Sequence, residues 1–109
     1  MHELGITQNI VAIVTEKAGS QKVIRLKLQI GALSAIVPDA IRFCFDICTD
    51  GTPLKGATLE IEEVAGLGKC NICGQEMPLS VLAGTCECGS RDIKCVAGQE
   101  LLIREMEVV

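Results

Sequence analysis

The feature that most constrains the fold is a concentration of cysteines in residues 65–98, a stretch in which hydrophobic periodicity fades. Cys70 and Cys73 form a C-x-x-C pair, and Cys86 and Cys88 form a shorter C-x-C pair. Two short loops that each supply two thiolates are typical of a structural zinc site. A segment of this size has almost no hydrophobic core, so bound metal must supply most of its folding free energy. The spacing therefore predicts a small metal-stabilised module.

The cysteine spacing also bears on which metal is bound and on which four residues bind it. We expect Zn(II), held by Cys70, Cys73, Cys86 and Cys88, although the nearby Cys95 could replace one of these four. An iron–sulfur centre is the alternative, because sets of four cysteines also hold iron. A catalytic zinc ion keeps an open position and usually takes a histidine or carboxylate ligand, so the zinc predicted here is structural.

Outside this module, two segments have the periodicity of helices. The first, residues 4–18, repeats apolar side chains at helical spacing, namely Ile6, Ile10, Ile13 and Val14. The second begins at Pro38-Asp39, because proline suits the first helical turn and a carboxylate suits its positive end. Its apolar positions predict one buried face, formed by Ile41, Cys44, Phe45 and Cys48. The two cysteines of this face are interpreted as buried thiols rather than as a metal-binding pair.

Strand-like segments separate and follow these helices. They are residues 22–31, 57–64 and 100–109, of which the first two alternate apolar and polar side chains. The chain is therefore predicted to form a helix–strand–helix–strand unit over residues 1–64. This unit is interrupted by the cysteine module at residues 65–98 and is completed by the last strand, within residues 99–109.

The N-terminus carries a second group of metal-binding side chains. The chain opens with Met1-His2-Glu3, and His2 is its only histidine. The terminal amine of Met1, the backbone amide of residue 2 and the imidazole can form adjacent chelate rings, with the Glu3 carboxylate nearby. Nitrogen donors in a plane suit Ni(II) or Cu(II). On the residues alone, a terminal histidine without a role is the simpler interpretation, because chain termini are usually frayed.

The net charge of −4 limits the class of partner. An acidic chain is poorly suited to nucleic-acid phosphates or to an anionic membrane surface. The first twenty residues lack the basic region of a signal peptide, and no apolar run is long enough to span a bilayer. We therefore expect a cytoplasmic protein without membrane insertion, whose cysteines are reduced or bound to metal.

Two other functions are compatible with parts of this pattern. A zinc-ribbon module for nucleic-acid or protein interaction would explain the cysteines, but the acidic charge and the lack of aromatic stacking residues disfavour nucleic acid. A small metal-dependent hydrolase would need a catalytic carboxylate, and the candidates are Asp39, Asp46, Glu60, Glu62 and Glu63. Such charges are common at helix starts and on solvent-facing positions, and no nucleophile–base pair is recognisable. The chain is therefore predicted not to be an enzyme.

Four stretches resemble the HypA/HybF family of hydrogenase nickel incorporation proteins. They are the initial Met-His-Glu, IGALSAIVPDAIRFCFDI at residues 30–47, the cysteine module, and CGSRDIKCVAGQELLIREMEV toward the end. They occur in the family's order and span essentially the whole chain. The resemblance implies an α+β fold in which two helices lie on a small three-stranded sheet, with a zinc-ribbon-like module inserted before the last strand. Family members typically have C-x-x-C as the second cysteine pair, whereas this chain has C-x-C.

The resemblance also implies a function, that of a nickel metallochaperone. Ni(II) would bind transiently at His2, with the amine of Met1 as a further ligand and Glu3 as a ligand or tuning group. The two cysteine pairs match the family's structural Zn(II) site. The protein would deliver nickel during maturation of a [NiFe] hydrogenase, together with the GTPase HypB and the hydrogenase large-subunit precursor.

Overall fold

The computed structural model describes residues 2–109 and contains two helices and six strands in that range. In chain order the elements are α1 (Glu3–Ala18), β1 (Val23–Gly31), α2 (Pro38–Cys48), β2 (Thr58–Val64), β3 (Gly66–Cys70), β4 (Glu76–Leu79), β5 (Ile93–Ala97) and β6 (Leu101–Val108). Both predicted helices and all three predicted strands are present, with ends within about two residues of those expected. Neither helix within residues 2–109 is long and apolar enough to cross a lipid bilayer.

The first sheet has the strand order β2-β1-β6 and carries both helices on one face. Strand β1 lies in the middle, parallel to β2 and antiparallel to β6. Its inward side chains, Leu26, Leu28 and Ile30, are at most 1% exposed and pack in one core with residues of α1 and α2. The opposite face is charged, and there Arg25 pairs with Glu60 at 2.7 Å. This is the half-buried strand that the alternation predicts, and the fold is α+β.

Two isoleucines lie outside the buried faces that simple periodicity suggests. In β1 the pairing register with β6 shifts between Val23 and Arg25, so Val23 is buried and Ile24 is 38% exposed. A bulge of this kind adds a residue to one strand and turns its side chain to the other face. In α1 the buried face follows Val11 and Val14, and Ile13 is 45% exposed. Hence neither Ile13 nor Ile24 belongs to the core.

The cysteine-rich stretch forms a second sheet with the order β4-β3-β5, in which all neighbouring strands are antiparallel. Glycines on β3 leave room for side chains of the two neighbouring strands to pack against its backbone. At Gly68 a Cβ atom would lie 2.8 Å from both Ile93 Cγ2 and Leu79 Cδ1. Because apolar periodicity is weak here, the sequence gives no bounds for these three strands.

Close backbone contacts surround the β5–β6 connection, where the two sheets meet. The Leu33 amide donates a 2.7 Å hydrogen bond to the Gly98 carbonyl, and the Gly31 amide donates one of the same length to the Glu100 carbonyl. Gly98 has a φ of 108°, and a Cβ atom there would lie 2.6 Å from the Cα atom of Gly66. The molecule is elongated, 54 Å by 23 Å by 17 Å, and these glycines form a close-packed junction along it.

Candidate metal centres

Four cysteine sulfurs converge at one end of the second sheet. The Sγ atoms of Cys70, Cys73, Cys86 and Cys88 all lie within 4.8 Å of one another. Two of the separations are 3.7 Å, between Cys70 and Cys88, and 3.4 Å, between Cys73 and Cys86. A tetrahedron of sulfurs around zinc, with Zn–S bonds of about 2.3 Å, has edges of about 3.8 Å. The four sulfurs are therefore spaced as a tetrahedral metal requires.

The first cysteine pair forms a turn at the end of β3, which ends at Cys70. The Gly74 amide donates a 2.9 Å hydrogen bond to the Cys70 carbonyl, and Gly74 has a φ of 79°, which favours glycine. This turn aims two backbone amides, those of Ile72 and Cys73, at the Cys70 sulfur, at 3.4 Å and 3.5 Å. The hydrogen bond from Cys73 is the main cause that lowers the pKa of Cys70 to about 6. A thiolate at this position is the form that binds metal.

The shorter second pair forms a turn of the same kind. The Cys86 amide donates to the Ser90 carbonyl, and the Gly89 amide donates to the Cys86 carbonyl, both at 2.8 Å. Gly89 has a φ of 91°. The C-x-C spacing thus places Cys88 within reach of the first pair. Although the Cys88 amide lowers the pKa of Cys86, burial and the neighbouring thiols raise it to about 12, so a metal ion would be needed to stabilise that thiolate.

A polar contact that the sequence did not reveal joins the two turns. The Asn71 amide donates a 2.9 Å hydrogen bond to the Asp92 carbonyl, and the Asn71 side chain donates one of the same length to the Asp92 carboxylate. The Asp92 amide in turn donates to the Ser90 hydroxyl at 3.0 Å. Asn71 lies inside the first cysteine pair and Asp92 follows the second, so this contact holds the two loops in register.

The other cysteines lie outside the four-sulfur cluster. The Cys95 thiol donates a 3.2 Å hydrogen bond to the Ala97 carbonyl, so the structure gives its sulfur a different partner. Cys48 packs against the main core, where burial raises the pKa of its thiol, and Cys44 is half-buried beside it. The geometry therefore favours the four expected ligands over a set containing Cys95. The two cysteines of α2 are half-buried thiols, and not the fully buried ones that the helical periodicity suggested.

At the N-terminus, His2 is the exposed N-cap residue of α1, and its carbonyl accepts a 3.1 Å hydrogen bond from the Ile6 amide. Met1, the predicted source of an amine ligand, lies outside the described residues. The Glu3 carboxylate accepts a 3.1 Å hydrogen bond from the amide of Val37, the N-cap residue of α2. This bond is the main cause that lowers the pKa of Glu3. The start of the chain is thus tied to the start of the second helix.

Comparison with known proteins gives matches over the whole chain. The family model described as "Hydrogenase/urease nickel incorporation, metallochaperone, hypA" matches residues 1–108. The hydrogenase maturation factor HypA of Nostoc punctiforme is 62% identical over 108 residues, which cover 99% of this chain and 96% of that protein. The factor of the same name from Geobacter metallireducens is 47% identical over 109 residues, covering 99% of each chain.

Two solved structures have a similar fold. The solution structure of a HypA protein matches with a TM-score of 0.73 at 25% identity, covering 100% of this chain and 97% of that chain. The solution structure of the Ni metallochaperone HypA from Helicobacter pylori matches with a TM-score of 0.72 at 24% identity, covering 100% and 98%. The second likeness concerns the fold alone.

Proposed function

This chain belongs to the HypA family of nickel incorporation metallochaperones, and from that premise we propose that it binds Ni(II) at its N-terminus and delivers it during maturation of a [NiFe] hydrogenase. The observation that carries the proposal is the position of its only histidine. His2 is exposed at the very start of α1, beside the Glu3 carboxylate, where a transient ligand has free access. A delivery site must release its cargo, so an open site with few side-chain ligands suits the task.

The proposed nickel donors are nitrogen atoms at the start of the chain. They are the amine of Met1, the amide of residue 2 and the imidazole of His2, which together suit the planar preference of Ni(II). Amides at the start of a helix have no carbonyl partner within that helix, so the His2 amide is available to a metal. The Glu3 carboxylate already accepts a bond from Val37. That contact favours the tuning role for Glu3, since direct ligation would compete with the bond.

We propose a structural Zn(II) site at Cys70, Cys73, Cys86 and Cys88. The fit rests on the sulfur spacing and on the buried position of two of the four, Cys70 and Cys86, which are 1% and 3% exposed. Four thiolates would close the coordination sphere and leave no position for a substrate. The bound ion would supply the cross-link that this small sheet, with few large apolar side chains, otherwise lacks. The proposed role for the whole chain is therefore non-enzymatic.

The proposal includes two protein partners and a compartment. The relatives are named hydrogenase maturation factors, so the acceptor of nickel is proposed to be a hydrogenase large-subunit precursor. The GTPase HypB is proposed as the second partner. The proposed compartment for binding to both partners is the cytoplasm.

Nickel titration of the untagged protein tests the proposal. Isothermal titration calorimetry of the zinc-loaded chain should show Ni(II) binding that His2→Ala abolishes. Zinc content and thermal stability should not change, because the His2 side chain is exposed. Gln8→Ala, at another exposed position of α1, is a matched control that should bind nickel normally. Normal nickel binding by His2→Ala would instead favour an interaction module without a nickel function.

A further inference from the structure

An open apolar groove runs between the two helices, and none of the proposed metal ligands lines it. Its volume is about 680 Å³, and its walls include Leu4, Val11, Thr15 and Glu16 of α1 and Ile47 and Cys48 of α2. From Leu4 to Thr15 the groove follows α1 for eleven residues, a rise of about 16 Å or three turns. The groove therefore has the length of a short helical segment.

Large apolar side chains are exposed in and near this groove. Leu4 and Ile47, which line it, are 48% and 57% exposed, and Phe43, which does not line it, is 69% exposed. Phe43 and Ile47 are four residues apart on α2 and so lie on the same side of that helix. The side of α2 that faces the core is formed by Ile41 and Phe45, so Phe43 and Ile47 are not part of the core. A grouped exposure of this kind marks an interaction surface.

The solvent-facing side of α2 beside Phe43 is acidic. Asp39, Phe43 and Asp46 follow one another at i, i+4 and i+7, and all three are exposed. Within residues 2–109, neither of these aspartates forms a salt bridge. The one cation of α2, Arg42, instead donates a 2.9 Å hydrogen bond to the Leu59 carbonyl of β2. The exposed apolar stripe is therefore flanked by negative charge.

We propose that this groove is the docking site for a basic amphipathic helix of a partner protein. The apolar face of the partner helix would lie against Leu4 and Ile47, and its lysines or arginines would lie beside Asp39 and Asp46.

The charge pattern separates this occupant from other candidates. A symmetric dimer through the groove would bring the same patch of two copies together, so that Asp39 and Asp46 of one copy face acidic residues of the other. Like charges across an interface are unfavourable. Anionic lipid and nucleic acid are disfavoured for the same reason. Only a partner that combines basic and apolar side chains matches both properties of the surface.

Fluorescence anisotropy with a synthetic peptide tests the proposal. The probe is a labelled 14-residue helical peptide with leucines at i, i+3, i+4 and i+7 and lysines on both flanks. A matched peptide has glutamates in place of the lysines. The lysine peptide should bind the zinc-loaded chain, and Ile47→Asp should weaken binding at least tenfold. Ile13→Asp is the matched control, since Ile13 is 45% exposed on α1 but does not line the groove, and it should bind as the wild type does.

A second variant separates the charge from the apolar contact. Asp39→Asn combined with Asp46→Asn should weaken binding at low salt and reduce its salt dependence, because rim charges act mainly through screened attraction. Equal binding of both peptides, or equal binding by Ile47→Asp and the wild type, would overturn the proposal. A dimer in sedimentation velocity that Ile47→Asp dissociates would also overturn it, by assigning the groove to a second copy. His2→Ala should bind the peptide normally, so this result is independent of nickel.

Discussion

Replacing Gly98 by alanine should destabilise the fold through two separable effects at the junction between the sheets. At a φ of 108° an alanine is in a region that L-residues avoid, at a cost of about 1–2 kcal/mol. Its Cβ would also lie 2.6 Å from the Gly66 Cα and 3.3 Å from the Ala65 carbonyl oxygen. These neighbours are backbone atoms that cannot rotate away, so overpacking adds about 1–3 kcal/mol. The free energy of unfolding should therefore fall by about 2–5 kcal/mol.

Gly56→Ala measures the cost of the backbone conformation without the overpacking. Gly56 has a φ of 81°, but a Cβ atom there would have no neighbour within 4 Å. This variant should therefore lose only the conformational part, about 1–2 kcal/mol. At about 4 °C per kcal/mol, Gly98→Ala should lower Tm by roughly 8–20 °C and Gly56→Ala by roughly 4–8 °C.

Urea unfolding of the zinc-loaded proteins, followed by far-ultraviolet circular dichroism, measures both free energies. Circular dichroism is the appropriate signal because the chain has no tryptophan or tyrosine. Equal losses for Gly98→Ala and Gly56→Ala would refute the close-packed junction, since the contact with Gly66 would then contribute nothing.

Two further predictions concern the metal centres. Cys73→Ser should lower the zinc content of purified protein well below one ion per chain, while Cys95→Ser should retain the zinc. Of these two cysteines, Cys73 belongs to the four-sulfur cluster and Cys95 does not. Equal zinc contents of the two variants by elemental analysis would contradict this ligand set. Glu3→Gln should reduce stability at neutral pH, and its difference from the wild type should shrink as the pH falls below 4.5. The bond from Val37 lowers the pKa of Glu3 from 4.5, so its contribution is complete above that value and is lost as pH falls through the lower folded value. A constant difference between Glu3→Gln and wild type from pH 3 to pH 7 in thermal melts would exclude this linkage.

Local patterns were sufficient to predict the helices and the first sheet. Pro38 begins α2 as expected, and Leu26, Leu28 and Ile30 are buried as their alternation indicates. These features depend on neighbours within a few residues, which the sequence displays directly. Ile24 departs from the pattern because the bulge that exposes it depends on the pairing of β1 with β6, about eighty residues away.

The cysteine spacing was sufficient to predict which four sulfurs converge, but not the contacts that hold the two loops together. Cysteine pairs at short spacing indicate a cluster of sulfurs, whereas whether Cys95 replaces one of the four depends on the tertiary position of β5. The hydrogen bond between Glu3 and Val37 joins residues 34 positions apart, and the hydrogen bonds between Asn71 and Asp92 join residues 21 positions apart. Such contacts involve ordinary polar residues with no local signature, so only the tertiary structure shows them.

X-ray absorption spectroscopy of the untagged protein, loaded with zinc and then with one equivalent of nickel, tests most directly whether two different sites hold the two metals. At the nickel edge, the account predicts a first shell of nitrogen and oxygen only, from the N-terminal residues around His2. At the zinc edge, it predicts four sulfurs at about 2.3 Å. Sulfur in the nickel shell, or fewer than four sulfurs around zinc, would contradict the separation of an N-terminal nickel site from a closed four-cysteine zinc site.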